Sequence, residues 1–336
     1  MNYKESRIIL KEIKKANSFI MFCHEGPDFD SIISSLLMER ILRKMGKKAE
    51  IFSPEDLGET NKYLDKEGRI KVRDSQKIDF SKYNILFALD VNELSRFGLD
   101  KNFHFNGKII NIDHHEGERC GDINIFDRNT GATCSLLYLI FKDWQIELSL
   151  DELNMILLGI VSDTGIFHFS MYQKTKAFKI VGELMKKGAN YEQALYYVDQ
   201  CNSLETYRFY AEVLGSIKIN KERRFAYTFI SAKVFHKYKK FGVRSRQISD
   251  QFIRNIKGTD FGMVLIEDEP GVVKVSIRTR TPGYYTIDLV KKLGGGGHLT
   301  GGGATVIVES RKTADAVNKI LEQASEFSLK KNNNDY

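Results

Sequence analysis

The fold is decided by a short apolar run that leads directly into polar residues, in the stretch SFIMFCHEGPDFDS of residues 18–31. Its first six residues predict a buried strand. Isoleucine and leucine then recur over residues 32–42 at the spacing of one helix face, which predicts a helix after the strand. Two further strands and a buried helix are predicted at residues 85–89, 108–112 and 153–161. This alternation predicts an α/β fold built on a doubly wound parallel sheet.

The composition excludes several classes of protein. With 336 residues, 42% of them hydrophobic, the chain is long enough for about two domains with packed cores. It contains no run of about 18 uncharged apolar residues, and residues 1–5 do not begin a leader-like pattern. We therefore expect a soluble, cytoplasmic protein that is not bound to a membrane. The four cysteines form no CxxC pair, which argues against a zinc finger or a disulfide framework.

Charge is distributed unevenly along the chain. Residues 216–336 carry 22 Lys and Arg against 12 Asp and Glu, a net charge of +10, whereas residues 1–215 carry −3. The basic part is typical of a surface that binds a polyanion, although a solvated lysine-rich surface explains the charge equally well. Residues 191–216 are polar with helical spacing, so we predict a helical linker there. It separates a first domain, residues 1–190, from a smaller α/β domain, residues 217–330.

Carboxylate and imidazole side chains follow the ends of the predicted apolar elements. Parallel strands deliver such residues to one edge of the sheet. The residues concerned are His24, Asp28, Asp30, Asp90, Asp113, His114, His115 and Asp163. Each placement is common by chance, because Asp favours turns and helix caps, but their joint occurrence predicts a single site.

This set of residues is suited to divalent cations. His24, Asp28, Asp30, Asp90, His114 and Asp163 offer oxygen and imidazole ligands without a thiolate, which suits Mn²⁺, and they are numerous enough for two ions that share a carboxylate. Two ions about 3.5–4 Å apart clamp the attacking and leaving oxygens at phosphorus, and one lowers the pKa of a bound water. The pattern predicts a hydrolase of phosphoesters or phosphoanhydrides. The chain has neither a GxxxxGK[ST] loop nor a GxSxG elbow.

The ordered motifs resemble those of the DHH phosphoesterases, a family named after the triplet found here as Asp113-His114-His115. The other motifs are His24-x-x-Pro27-Asp28-x-Asp30-Ser31, then Leu89-Asp90 followed by Arg96 and Gly98, and Ser162-Asp163-Thr164-Gly165. The C-terminal region resembles the associated DHHA1 substrate-binding domain, through Val275-Ser276-Ile277-Arg278-Thr279 and Gly294-Gly295-Gly296-Gly297-His298. Within the family, the chain is most similar to the bacterial short-oligoribonucleases, or nanoRNases, which also remove the 3′-phosphate of 3′-phosphoadenosine-5′-phosphate (pAp).

The resemblance assigns roles to the predicted ligands. It implies two Mn²⁺ ions, with Mg²⁺ or Co²⁺ as alternatives. One ion would be held by His24, Asp28 and Asp90, and the other by Asp30, Asp90, His114 and Asp163, so that Asp90 bridges the two. Asp113 would then orient a histidine, as carboxylates next to metal ligands commonly do. His115 would face the scissile phosphate, the alternative being a buried histidine that only makes hydrogen bonds.

Substrate-binding roles follow for residues outside the metal set. The resemblance places Arg278 and His298 against the phosphate and nucleotide of the substrate, with Gly296 and Gly297 beside them. The planar guanidinium of Arg278 fits phosphate with two hydrogen bonds. The glycine run by itself is either a flexible turn or a backbone that presents N–H groups to an anion. In the first domain, Arg96 and His168 are the candidates, and for His168 a position in the core is an equal alternative.

Several positions depart from the family pattern, among them Phe29, which stands where the first motif usually has glycine between its two acids. The preferred function is a Mn²⁺-dependent exoribonuclease of two to five nucleotides with pAp phosphatase activity, acting on short RNA or small nucleotides. A soluble phosphodiesterase for cyclic di-AMP or pApA is the main alternative. A family II inorganic pyrophosphatase and a non-enzymatic RNA-binding module are weaker ones, and a homodimer is left open.

Overall fold

The computed structural model describes residues 2–58, 62–100, 102–115, 117–168, 175–239, 241, 243, 248–249, 252–281 and 283–332. The chain forms two compact units, Met1–Cys201 and Asn202–Tyr336. The segment predicted as a linker is helical and is divided between the units. Tyr191–Leu195 and a π-helix at Tyr196–Gln200 belong to the first unit, and Leu204–Gly215 belongs to the second.

The first unit is built on a six-stranded parallel sheet. Its strands are β1 (Ser18–Phe22), β2 (Lys48–Ser53), β3 (Ile70–Val72), β4 (Ile85–Leu89), β5 (Lys108–Asp113) and β6 (Ile123–Phe126). Their order in the sheet is β3-β2-β1-β4-β5-β6, and every neighbouring pair is parallel. This confirms the predicted doubly wound sheet. The strand order reverses between β1 and β4, which is the point where such sheets place their ligands.

Helices pack on this sheet and enclose an apolar core. They are α1 (Glu5–Lys15), α2 (Phe29–Lys44), α3 (Thr133–Asp143), α4 (Leu150–Asp163), α5 (Thr175–Lys186) and α6 (Tyr191–Leu195). Helices α2, α3 and α4 contact one another and are buried over most of their length, which explains why their apolar residues are not confined to one stripe. Short 3₁₀-helices lie at Ser75–Lys77, Phe80–Lys82, Leu94–Phe97 and Arg128–Thr130.

The second unit has a mixed sheet with its own core. Its strands are β7 (Lys218–Asn220), β8 (Phe225–Ile230), β9 (Phe261–Glu269), β10 (Val272–Thr279), β11 (Gly296–His298) and β12 (Gly301–Ile307), in the order β11-β12-β10-β9-β8-β7. Among the strand pairs in the described residues of this unit, β8 and β9 are parallel and the others are antiparallel. The helices are α7 (Leu204–Gly215), α8 (Ala232–Lys239), α9 (Ile287–Lys292) and α10 (Thr313–Asn332), and a 3₁₀-helix lies at Ile253–Asn255. Across the parts of the chain that the structure describes, no helix is long and apolar enough to span a membrane.

The glycine run of the second unit belongs to a strand pair rather than to a loose turn. Residues 296–298 form β11, which pairs with the glycine-rich start of β12. A Cβ atom on Gly295 would lie 2.1 Å from the Gly303 carbonyl oxygen, and one on Gly297 would lie 2.4 Å from the Gly302 Cα. Glycine is required here because two backbones approach closely.

Candidate active site

The structure brings the six predicted metal ligands together at the carboxyl ends of β1, β4 and β5. Three overlapping groups each place three ligand atoms within 4.8 Å of one another. They consist of His24, Asp28 and Asp90, of Asp30, His114 and Asp163, and of Asp90, His114 and His115. Asp90 belongs to two of these groups and links the His24 side of the cluster to the His114 side. Its Oδ2 is 3.5 Å from His24 Nε2, and its Oδ1 is 3.4 Å from His114 Nε2.

Asp90 reaches this position through an unusual backbone conformation. It follows β4 with a φ of +61°, in the left-handed region that Asp tolerates better than most residues. Its N–H still donates to the carbonyl of Ile112 at 3.1 Å, so the hydrogen-bonding ladder between β4 and β5 continues through the turn. The turn therefore holds the buried carboxylate firmly at the end of the central strands.

The N-terminus of α2 fixes the first group. Asp28 caps the helix by accepting the N–H of Ser31 at 3.1 Å, and the Ser31 hydroxyl oxygen accepts the N–H of His24 at 3.0 Å. His24 Nδ1 lies 2.8 Å from the carbonyl oxygen of Glu25, so Nδ1 is the donor in this contact. Nε2 faces Asp28 at 3.6 Å and is the ring nitrogen that can bind a metal once its proton is lost.

The N-terminus of α3 holds Asp30 in place. The sequence predicted Asp30 as a ligand but did not predict this contact. The backbone N–H groups of Thr133 and Cys134 donate to the two Asp30 carboxylate oxygens at 2.6 and 2.9 Å, and the Thr133 hydroxyl donates to Asp90 Oδ1 at 3.0 Å. These N–H groups have no partner within their own helix, and they carry the positive end of its dipole. A threonine directly before an apolar helical run was the only signal in the sequence.

Burial and charge shift the pKa values of the clustered groups in opposite directions. Burial lowers the pKa of His24 and His114, but the carboxylates beside them outweigh it and raise these values to about 9 and about 10. Burial, together with the charges of Asp90 and Asp163, raises the pKa of Asp30 well above its usual range. For Asp90, burial is outweighed by the contacts with His114 and His24, which hold its pKa well below that range.

These residues fit divalent cations. Several carboxylates share a buried space in which protons on imidazoles supply the balancing positive charge. His114 Nε2 is buried without a hydrogen-bond partner among the described residues, although it lies 3.2 Å from Asp163 Oδ2. Metal ligands of this kind must lose their protons to bind, so a cation would replace the protons on the histidines. The ligand atoms are nitrogen and oxygen, the set preferred by ions such as Mn²⁺.

Asp113 and His115 form a pair at the edge of the cluster. Asp113 is fully buried, and its Oδ1 accepts the backbone N–H of His115 at 3.1 Å and lies 2.8 Å from His115 Nδ1. Because a carboxylate only accepts, Nδ1 carries the proton and Nε2 is left as an acceptor. The His115 side chain is 18% exposed, in contrast to the buried His114.

The other predicted residues of the first unit lie around the cluster. Arg96 is in the 3₁₀-helix after Asp90, where its carbonyl accepts the N–H of Glu25 at 2.7 Å and its charge acts to lower the His24 pKa. His168 is exposed in the turn after α4, so it does not face the core. Phe29 packs against Tyr63, with ring centroids 6.2 Å apart, and Tyr63 stacks on Tyr197 at 4.5 Å.

The predicted substrate-binding residues of the second unit lie on its glycine-rich strands and on β10. Arg278 is half-buried and donates from Nη1 to the carbonyl of Ile277 at 2.8 Å. Gly296 and Gly297 are exposed in β11. His298 ends β11, and its side chain lies outside the described part of the structure.

Comparison with known proteins gives a family and a set of relatives. The sequence profile of the DHH family, N-terminal domain, matches residues 18–160. The chain is 29% identical to the bifunctional oligoribonuclease and PAP phosphatase NrnA of Thermus thermophilus, over 96% of this chain and 95% of that protein. Its fold is similar to an exopolyphosphatase-related protein of Bacteroides fragilis, with a TM-score of 0.83, 22% identity and coverage of 96% and 95%. It is also similar in fold to exonuclease RecJ bound to manganese, with a TM-score of 0.50, 11% identity and coverage of 97% and 94%.

Fold and site together define a two-unit α/β hydrolase whose parallel sheet carries a buried cluster of carboxylates and imidazoles. The matched segment contains the strands β1, β4 and β5 and all but one of the candidate ligands. Residues 18–160 thus match the N-terminal domain of the DHH family, and the chain as a whole is similar to a bifunctional oligoribonuclease and PAP phosphatase.

Proposed function

We propose that this protein hydrolyses short oligoribonucleotides to mononucleotides and removes the 3′-phosphate of pAp. The proposal draws its substrates from the Thermus thermophilus relative, whose name gives both activities and which aligns over nearly the full length of both chains. The excess of positive charge in residues 216–336 is in keeping with an anionic substrate.

The observation that carries the proposal is the position of Asp90 between two groups of ligands. One carboxylate that faces His24 on one side and His114 on the other is the arrangement required for two cations with a shared ligand. Two such cations, which we propose to be Mn²⁺, would supply a nucleophile from water at neutral pH and stabilise charge on the attacking and leaving oxygens. RecJ, a structural neighbour, was crystallised with manganese.

The remaining roles belong to residues of this chain. Asp28, Asp30, Asp90 and Asp163 supply the negative charge that holds the cations, and α3 keeps two of these carboxylates in place. Asp113 holds the His115 ring so that its Nε2 is available to the phosphate of the substrate. We assign substrate contacts to Arg96 and His168 in the first unit and to Arg278, Gly296, Gly297 and His298 in the second.

A matched panel of substrates tests the proposal. Purified protein loaded with Mn²⁺ is incubated with pAp, a 5′-phosphorylated RNA dinucleotide, an RNA 5-mer, an RNA 24-mer, cyclic di-AMP and pyrophosphate. We expect rapid hydrolysis of pAp, the dinucleotide and the 5-mer. Asp90→Asn serves as the inactive control, since it removes the shared charge. Preferential opening of cyclic di-AMP would reassign the substrate, and failure to hydrolyse any member of the panel would contradict the proposal.

A further inference from the structure

We infer that Arg119 is a positioning residue for His115, through the Asp113 carboxylate and through the backbone that follows His115. The inference rests on the proposed function, because it assigns His115 a part in the reaction. No predicted motif includes Arg119, which lies in the segment between β5 and β6.

Arg119 holds this segment at two points. Its Nη1 donates to the carbonyl oxygen of His115 at 3.0 Å and lies 3.7 Å from Asp113 Oδ2. The same Asp113 binds both the backbone N–H and the ring Nδ1 of His115 through its other oxygen. Arg119 therefore acts on the backbone after His115 and on the carboxylate that sets the ring tautomer.

The contact between Arg119 and Asp113 places a positive charge beside a buried carboxylate. Asp113 is fully buried, and its Oδ2 has no hydrogen-bond partner among the described residues. A buried carboxylate without a nearby positive charge is costly. The guanidinium of Arg119 is the cation recorded beside this oxygen, and its side chain is only 24% exposed. The guanidinium thus lies beside the carboxylate whose other oxygen contacts the backbone N–H and the ring Nδ1 of His115.

An aromatic ring fixes the guanidinium in this position. The Arg119 Cζ lies 3.6 Å from the centroid of the Phe126 ring, at the end of β6. Planar stacking of this kind is characteristic of arginine, and lysine does not reproduce it. The backbone between His115 and Arg119 includes Gly117, with a φ of +137°, and no helix or strand is assigned from His114 to Asp122 in the described residues. The contacts of Arg119 with His115, Asp113 and Phe126 therefore link this segment to the ends of β5 and β6.

Two substitutions test the inference on the Mn²⁺-loaded enzyme. Arg119→Gln removes the charge and the stacking, and we expect kcat on the RNA dinucleotide to fall roughly 10- to 100-fold, the usual cost of losing a partner that orients an active-site group. KM and bound Mn²⁺ should stay near wild type, since the contacts of Arg119 in the described structure are with His115, Glu118, Asp113 and Phe126, none of which is among the six candidate metal ligands. Arg119→Lys keeps the charge without the stacking, so it should recover part of the rate and remain folded. Arg208→Gln, at an arginine that is 61% exposed, is the matched control and should leave kcat unchanged.

A double-mutant cycle separates positioning from substrate binding. If Arg119 acts through His115, Arg119→Gln should lower kcat less than about twofold in a His115→Ala background, because the side chain that Arg119 positions is absent there. Equal losses in both backgrounds, or a rise in KM with kcat unchanged, would overturn the inference.

An NMR measurement tests the same point without activity. Imidazole ¹⁵N shifts of the Mg²⁺-loaded protein should show His115 protonated on Nδ1 alone, and Arg119→Gln should give a mixture of tautomers. An unchanged His115 spectrum in Arg119→Gln would contradict the positioning role. If the wild-type protein hydrolyses nothing on the panel, the proposed function fails, whereas this spectrum still decides the role of Arg119.

Discussion

Asp90 is the residue on which the site depends, because its two oxygens face the two halves of the cluster. The residue type and its place after a buried strand could be read from the sequence, since strand ends in a parallel sheet share one edge. Its left-handed backbone and its hydrogen bond from Thr133 could not, because both depend on how β5 and α3 pack around it. Arg119 was missed for the same reason, as its partners become neighbours only in the folded chain.

Asp90→Asn keeps the shape of the side chain but removes its charge. We expect the variant to bind fewer Mn²⁺ ions per chain and to lose more than roughly 100-fold in kcat, because the shared ligand of a two-metal site is gone. Elemental analysis of the purified variant and hydrolysis of the RNA dinucleotide measure the two effects. Asp56→Asn, at an exposed carboxylate, is the control. Full activity of Asp90→Asn would rule out the bridging role.

Phe29→Gly restores the glycine that the family motif usually carries. We expect the free energy of unfolding to fall by about 1–3 kcal/mol, because a partly buried ring that packs against Tyr63 is lost. Bound Mn²⁺ should be unchanged, since Asp28 and Asp30 remain. Phe29→Leu keeps an apolar side chain at the same position, so its free energy of unfolding should fall less than that of Phe29→Gly. Urea denaturation of the three proteins makes the comparison, and a Phe29→Gly protein as stable as wild type would show that the ring contributes no packing.

At the scale of elements, the N-termini of helices position several of the candidate metal ligands. Asp28 caps α2 beside His24, and the first N–H groups of α3 bind Asp30. The sequence predicted β1, β4, β5 and helix α4 closely, because buried strands and amphipathic helices have distinct hydrophobic periods. It did not predict β2, β3 and β6 of the same sheet. It did not predict that α3 begins against Asp30, because a contact between residues about a hundred positions apart has no local signature.

Thr133→Val tests the contribution of α3 to the metal site. The substitution preserves the branched shape but removes the hydroxyl that donates to Asp90 Oδ1. We expect Mn²⁺ affinity to fall roughly 10- to 100-fold, as is common when a hydrogen bond to a metal ligand is lost. Thr133→Ser keeps the hydroxyl and should remain close to wild type. Calorimetric titration of the metal-free proteins compares them, and equal affinities for Thr133→Val and wild type would disprove the contribution.

At the scale of the whole molecule, the order of the motifs along the chain indicated the resemblance to the DHH phosphoesterases before any contact was known. The resemblance is specific because the motifs occur as an ordered set, and their residues meet because a parallel sheet collects strand ends at one edge. The division of the chain was harder to predict, because the polar helical segment at residues 191–216 is shared between the two units rather than separating them. The two readings of the glycine run could be separated only when the pairing of β11 with β12 was known.

The stability of the metal-free protein should depend on pH through His24 and His114. Their pKa values rise from 6.5 to about 9 and about 10 on folding. A raised histidine pKa stabilises the folded state fully below pH 6.5, and this contribution is lost as pH rises through the folded value. Denaturation of the EDTA-treated protein should therefore show a lower free energy of unfolding at pH 9 than at pH 6.5. A His24→Gln, His114→Gln variant should lose most of this difference, and an equal difference in the variant would contradict the assignment.

Anomalous diffraction from crystals grown with Mn²⁺ would decide whether Asp90 is shared by two ions, because it locates the ions without reference to any substrate. We expect two manganese peaks about 3.5–4 Å apart, one beside His24 and Asp28 and the other beside Asp30, His114 and Asp163, with the Asp90 carboxylate between them. A single peak, or two peaks that do not share Asp90, would contradict this expectation.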